Sequence, residues 1–220
     1  MIRETVIVLF LIMLCLSCGG TKPKKNEAPP AVPPSPERDL RPAIVAFGDS
    51  LTAGQGVDQS MNYPAKLQAK IDAAGYRYKV VNAGISGETS SQGLDRVQSI
   101  AALHPAVVIV EFGANDGLRG IPVEATRRNF STIVSRLQSA GAKVVVAGME
   151  IPPNYGPQYT SSFRNIFPAL AKEYNAPLIP FFLKGVGGRS ELNQEDGIHP
   201  TAEGYDIVAE NVWRVLRPLL

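Results

Sequence analysis

The chain has 220 residues, 45% of them hydrophobic and 19% charged, which is enough apolar material for one buried core and excludes a fibrous or wholly disordered protein. Its formal net charge of +2 is local: residues 21–42 carry five basic side chains against three acidic ones, whereas residue 43 onward holds sixteen of each sign. A neutral folded part has no general attraction for phosphates, so nucleic acid is set aside as a partner.

The first element in chain order is a targeting segment. Arg3 supplies a minimal positive n-region, and Val6 to Leu16 is a continuous apolar run, too short to span a bilayer comfortably but of the length of a signal-peptide core. Ser17 is the small residue expected before a cleavage site, so residues 1–17 are predicted to be a signal peptide. Cys15 and Cys18 are the only cysteines in the chain, which leaves none for a disulfide in the folded part. Leu14-Cys15-Leu16-Ser17-Cys18 resembles a lipobox, with Cys15 standing where leucine is usual. Cys18 is therefore expected to be the lipid-modified first residue of a lipoprotein; the plainer alternative is that it ends a conventional signal peptide. The remainder of residues 18–42 is rich in proline and lysine, with Pro29-Pro30, Pro33-Pro34 and Pro36, and has almost no large apolar side chains. Such a linker tends to an extended conformation and cannot bury enough surface to fold. The expectation is secretion across a bacterial inner membrane and a periplasmic domain held to a membrane by its lipid.

From residue 43 the pattern changes to alternating strands and helices. Ala43 to Phe47, Lys79 to Ala83, Ala106 to Phe112, Lys143 to Ala147 and Pro177 to Pro180 read as buried strands. Helical spacing is seen over Tyr63 to Ala74, Gln92 to Leu103, Pro122 to Ala140, Ser162 to Tyr174 (with Pro168 expected to bend it) and Thr201 to Leu216. Five strands alternating with helices predict a three-layer α/β/α sandwich with a five-stranded parallel sheet, the flavodoxin-like arrangement, over residues 43–220. Ligands of such sheets bind at the carboxyl ends of the strands. The segments after Phe47, Val81 and Phe112 are therefore where chemistry is sought.

After the first strand comes Gly48-Asp49-Ser50-Leu51-Thr52-Ala53-Gly54. Alone it is a glycine-rich turn that opens a helix, and neither the phosphate-loop nor the dinucleotide glycine pattern fits it. Only two histidines are available as a base. His104, between a helix and the entry to the third strand, belongs to the wrong end of the sheet. His199 lies in Asp196-Gly197-Ile198-His199-Pro200, where a turn through Gly197 would return the carboxylate to Nδ1 and leave Nε2 free to take a proton. A serine hydroxyl is a poor nucleophile without such a base. Donors for an oxyanion are sought in Asn82 to Gly87 and in Gly113-Ala114-Asn115-Asp116. No cluster of His, Cys and acidic ligands calls for a metal, and no cofactor is implied.

These segments together resemble the GDSL or SGNH hydrolases. Gly48-Asp49-Ser50-Leu51 matches the first family block, Gly87 the second, Gly113-Ala114-Asn115-Asp116 the third and Asp196-Gly197-Ile198-His199-Pro200 the fifth, in family order. Stretches such as Asn115-Asp116-Gly117-Leu118-Arg119-Gly120 and Asn154-Tyr155-Gly156 are similar to the bacterial multifunctional thioesterase, lysophospholipase and arylesterase group. The resemblance implies a serine esterase acting on small acyl esters or thioesters. Ser50, His199 and Asp196 would form the triad, and Ser50 N–H, Gly87 N–H and the Asn115 amide the oxyanion hole; Gly84 stays open as an alternative donor. Asp49 and Asp116 are expected to buttress the loops. Leu118, Ile121, Ile151 and Tyr155 are expected to line an acyl groove, and the glycine-rich loop from Lys184 to Asn193 to lie near it. Two other readings stand beside this one: a carbohydrate O-acetyl esterase, and a non-catalytic surface lipoprotein.

Overall fold

The computed structural model describes residues 39–220. The signal segment 1–17, Cys18 and the linker as far as residue 38 lie outside the described residues. Five strands form one parallel sheet: β1 (Ala43–Gly48), β2 (Lys79–Gly84), β3 (Val107–Glu111), β4 (Lys143–Ala147) and β5 (Leu178–Ile179), in the order β2-β1-β3-β4-β5. Val45 pairs with Val81 on one side and Val108 on the other, so β1 is an interior strand, and all of its residues are buried. Such runs suit a parallel sheet covered by helices. Each fully buried Val or Ile of β1, β3 and β4 contributes about 1.5–3 kcal/mol relative to exposure.

The helices are α1 (Ser50–Ala53), α2 (Tyr63–Ala73), α3 (Ser90–Ala101), α4 (Ala114–Leu118), α5 (Val123–Ser139), α6 (Pro157–Glu173) and α7 (Ala202–Leu216). α2 packs with α7, and α3 and α6 pack with α5, which gives the two outer layers. Phe130, Ile133, Val134 and Leu137 are the buried stripe of α5, at the spacing the sequence suggests. Among the described residues no helix is long and apolar enough to cross a membrane.

Four elements differ from the sequence expectation. α3 begins at Ser90 rather than Gln92, because Thr89 and Gln92 form a capping box that starts the helix earlier. The helix also ends at Ala101, so Leu103 lies beyond it and is exposed instead of completing its apolar face. α6 begins at Pro157, five residues ahead of the expected start, with proline in its first turn; its polar Gln158, Thr160 and Ser161 hide the helical pattern. α1 and α4 are single turns too short to carry a period, and they hold Ser50 and Asn115.

Candidate active site

The chain leaves β1 for β2 on one side and later places β3 on the other, so the sheet's switch point lies between β1 and β3. Ser50 follows β1 and Asn115 follows β3 at that point. The turn after β1 is fixed from within: the Asp49 carboxylate caps α1 by accepting the Leu51 N–H at 3.0 Å, and Gly54 closes the helix in the left-handed region at φ 81°. A side chain on Gly48 would overlap Thr52 and Glu111, so the turn sits hard against the end of β3.

His199 arrives from the loop before α7. Asp196 Oδ1 accepts the N–H groups of Ile198 and His199, both at 3.0 Å, and Gly197 takes φ 73° to allow the reversal. The loop is tied down by Gln194, whose backbone N–H donates to His199 O at 2.8 Å and whose amide donates to Gln55 O at 2.7 Å. His199 Nδ1 then lies 2.6 Å from Asp196 Oδ2, and Nε2 lies 2.8 Å from Ser50 Oγ. Ser50 and His199 are each only 7% exposed, whereas the Asp196 side chain is 42% exposed. Burial alone would raise the Asp196 pKa, but the hydrogen bonds from the His199 ring and from the two N–H groups outweigh it and bring it down to about 2.

The structure brings Gly87 and Asn115 to the same cleft as Ser50 and His199. The Asn115 amide donates to Glu88 O at 2.9 Å and, more loosely, to Asp49 Oδ2 at 3.3 Å. Gly84 stays apart: its N–H donates to Asn82 Oδ1, and a Cβ there would meet the backbone of Ala53. Asp116 accepts Ser90 N–H, Ser90 Oγ and Thr126 Oγ1, locking α4 to α3 and α5. His104 is exposed at the opposite end of the sheet, with φ 48°.

The cleft encloses about 500 Å³, within the usual range for small-molecule sites. Leu118, Ile151 and the glycine-rich loop at Gly187 and Gly188 line it as the sequence suggests. Ile121 and Tyr155 do not. Tyr155 instead donates to Leu118 O at 2.8 Å, and Tyr159 to Ile121 O at 2.6 Å, so the tyrosines hold the Leu118–Ile121 loop by its backbone. Met149, Phe181 and Leu183 supply apolar wall that sequence reasoning missed. Their signal was their place at the carboxyl ends of β4 and β5.

Directly beneath Ser50 lies a buried polar cluster that the sequence reading also missed. Glu111, at the end of β3, accepts the Thr52 hydroxyl at 2.7 Å, and Thr52 Oγ1 is 3.4 Å from Tyr63 Oη. Desolvation raises Asp49 to about 7, with the charges of Asp116 and Glu88 adding to it, and raises Glu111 well above the carboxylate range, with the charge of Asp49 adding to it. The available sign was an acidic residue closing an otherwise apolar strand.

The description "GDSL-like Lipase/Acylhydrolase family" matches residues 46–207 of this chain. Esterase TesA of Pseudomonas aeruginosa is 43% identical over 178 residues, 80% of this chain and 89% of that protein. Thioesterase 1/protease 1/lysophospholipase L1 of Escherichia coli K12 is 38% identical over 178 residues, covering 80% and 84% of the two chains. The crystal structure of TesA superposes with a TM-score of 0.79 at 42% identity, over 81% of this chain and 99% of that one. With an ordered serine and histidine facing an apolar cleft at the switch point of such a sheet, the chain belongs to the GDSL lipase/acylhydrolase family and is a carboxylic ester hydrolase.

Proposed function

We propose that the protein is a serine esterase that cleaves acyl esters or thioesters of the lysophospholipid, aryl-ester or acyl-CoA type. The observation that carries this is the hydrogen-bonded line Asp196–His199–Ser50 at the wall of a mostly apolar cleft. His199 Nε2 takes the Ser50 proton as Oγ attacks the carbonyl, while Asp196, ionised, holds the ring in the productive tautomer. Ser50 N–H, Gly87 N–H and the Asn115 amide receive the oxyanion. The longer contact from Asn115 to Asp49 is the one the oxyanion displaces, and an Asp49 whose burial favours the neutral acid gives up that N–H easily. His199 then protonates the leaving alcohol or thiol, and water releases the acyl group from Ser50.

Leu118, Met149, Ile151, Phe181 and Leu183 form the wall against which an acyl chain lies. Burial of each methylene there adds about 0.8 kcal/mol of binding. For the amino-terminal part the reading stays that of the sequence: a signal peptide over 1–17, lipid on Cys18, and a linker holding the domain to a membrane in the periplasm.

The test is hydrolysis of p-nitrophenyl esters from acetate to palmitate by the wild-type protein and its Ser50→Ala variant. The expected result is turnover that rises beyond acetate and falls by on the order of 10⁶-fold in the variant. Turnover confined to acetate moves the assignment to an O-acetyl esterase, and turnover unchanged in Ser50→Ala rejects the serine mechanism.

A further inference from the structure

We propose that Arg96, which lies outside the cleft, is a positioning residue that holds the three oxyanion donors in register. The inference rests on the serine-esterase reading above and extends it to a group that never touches substrate. Arg96 projects from α3 and lays its guanidinium over the Phe47 ring, 4.5 Å from the centroid, and near Phe112 at 5.9 Å. Its Nε and Nη2 reach Glu88 Oε2 at 2.7 and 2.6 Å, and Nη2 also donates to Gly48 O at 3.1 Å.

Each of these contacts ends on a segment that carries a donor. Gly48 O lies two residues before Ser50 and also accepts the Ile85 N–H at 3.1 Å, which starts the turn containing Gly87. Glu88 follows Gly87, and its backbone carbonyl is the acceptor that fixes the Asn115 amide at 2.9 Å. One cation therefore connects the Ser50 turn, the Gly87 turn and, through Glu88, the Asn115 side chain. The pair is largely shielded, with side chains 19% and 11% exposed, so the contacts are stronger than those of a surface ion pair. A fork of N–H groups is what the arrangement uses, since one planar group reaches a carboxylate and a carbonyl together; a lysine ammonium does not reproduce that geometry.

A purely structural ion pair would lower the unfolding temperature and leave turnover per folded molecule alone. A positioning role predicts a different pattern. Arg96→Ala should reduce kcat by about 10- to 100-fold, less than the 100- to 1,000-fold typical of losing a donor outright. KM for a p-nitrophenyl ester should stay within about twofold, because uniform substrate binding is untouched. Millimolar guanidinium, far below denaturing levels, should restore part of the lost kcat in Arg96→Ala and none in Ser50→Ala. Arg96→Lys should be impaired in kcat as well, and serves as the folded variant if Arg96→Ala does not fold. Arg127→Ala, which removes an exposed ion pair to Glu173, is the control and should keep wild-type kcat. An active wild type with undiminished kcat in both Arg96→Ala and Arg96→Lys overturns this inference alone. A wild type without esterase activity overturns it together with the reading on which it rests.

Discussion

Ser50 stands between carboxylates in opposite conditions. On the sheet side, Asp49 and Glu111 are fully buried, and the cost of desolvation pushes both towards the neutral acid. On the solvent side, Asp196 is 42% exposed and receives a ring nitrogen and two backbone N–H groups, which keep it ionised to about 2. The same functional group is used as neutral scaffold in one place and as permanent negative charge in the other. What separates them is burial and the neighbouring charge. Asp49 and Glu111 also accept hydrogen bonds but bear the full desolvation cost beside other carboxylates, whereas Asp196 is part-exposed and faces His199. In the proposed mechanism the charge serves beside His199, where an imidazolium would form, and a second charge at Asp49 would oppose the oxyanion.

The strongest way to break this contrast is to remove the charge on the solvent side. Asp196→Asn should lower kcat by about 10⁴-fold with little change in fold, since the amide favours the wrong histidine tautomer. Steady-state kinetics beside circular dichroism checks this; a loss under tenfold would show that Asp196 is not the orienting group. A smaller effect is expected from Asn115→Ala, which removes the proposed oxyanion donor and also the amide that faces Asp49. Its kcat should fall by about 100- to 1,000-fold. Asp49, deprived of that partner, should titrate higher still, which makes stability more sensitive to pH.

The mildest prediction concerns stability itself. Asp49 has a folded pKa above its ordinary value of 3.8, so the folded state binds the extra proton and stability is lost as pH rises from about 4 through about 7. Glu111 acts in the same direction. Asp196 has the reverse sign, and its contribution is lost only as pH falls from 3.8 towards 2. The unfolding temperature should therefore drop by about 5 °C between pH 5 and pH 8. That drop should shrink in the Asp49→Asn, Glu111→Gln double variant and persist in Asp196→Asn. Thermal scans at the two pH values decide it, and an equal drop in all three proteins would contradict the buried-acid account.

The strands were legible because β1, β3 and β4 are short apolar runs closed by glycine or preceded by proline. Ser50, Asn115, Asp196 and His199 were singled out because the fold rule names the strand ends and the chain has only two histidines. The structure adds the contacts among them. What stayed hidden depends on contacts between distant segments. Arg96 looks like one more solvated residue on a helix until Phe47, Gly48 and Glu88 meet it. Tyr155 was expected in the groove as an apolar surface, but its hydroxyl finds the Leu118 carbonyl, which no periodicity reports. Met149 and Phe181 fall outside the family blocks, and only the closeness of β4 and β5 brings them to the cleft.

The most direct test of the account is covalent labelling with a p-nitrophenyl alkylphosphonate, which leaves a tetrahedral phosphoryl group on an activated serine. The account predicts one equivalent of p-nitrophenol released, loss of esterase activity in step with it, and the added mass on the peptide containing Ser50. Labelling at another residue, or full esterase activity after Ser50 is modified, would contradict it.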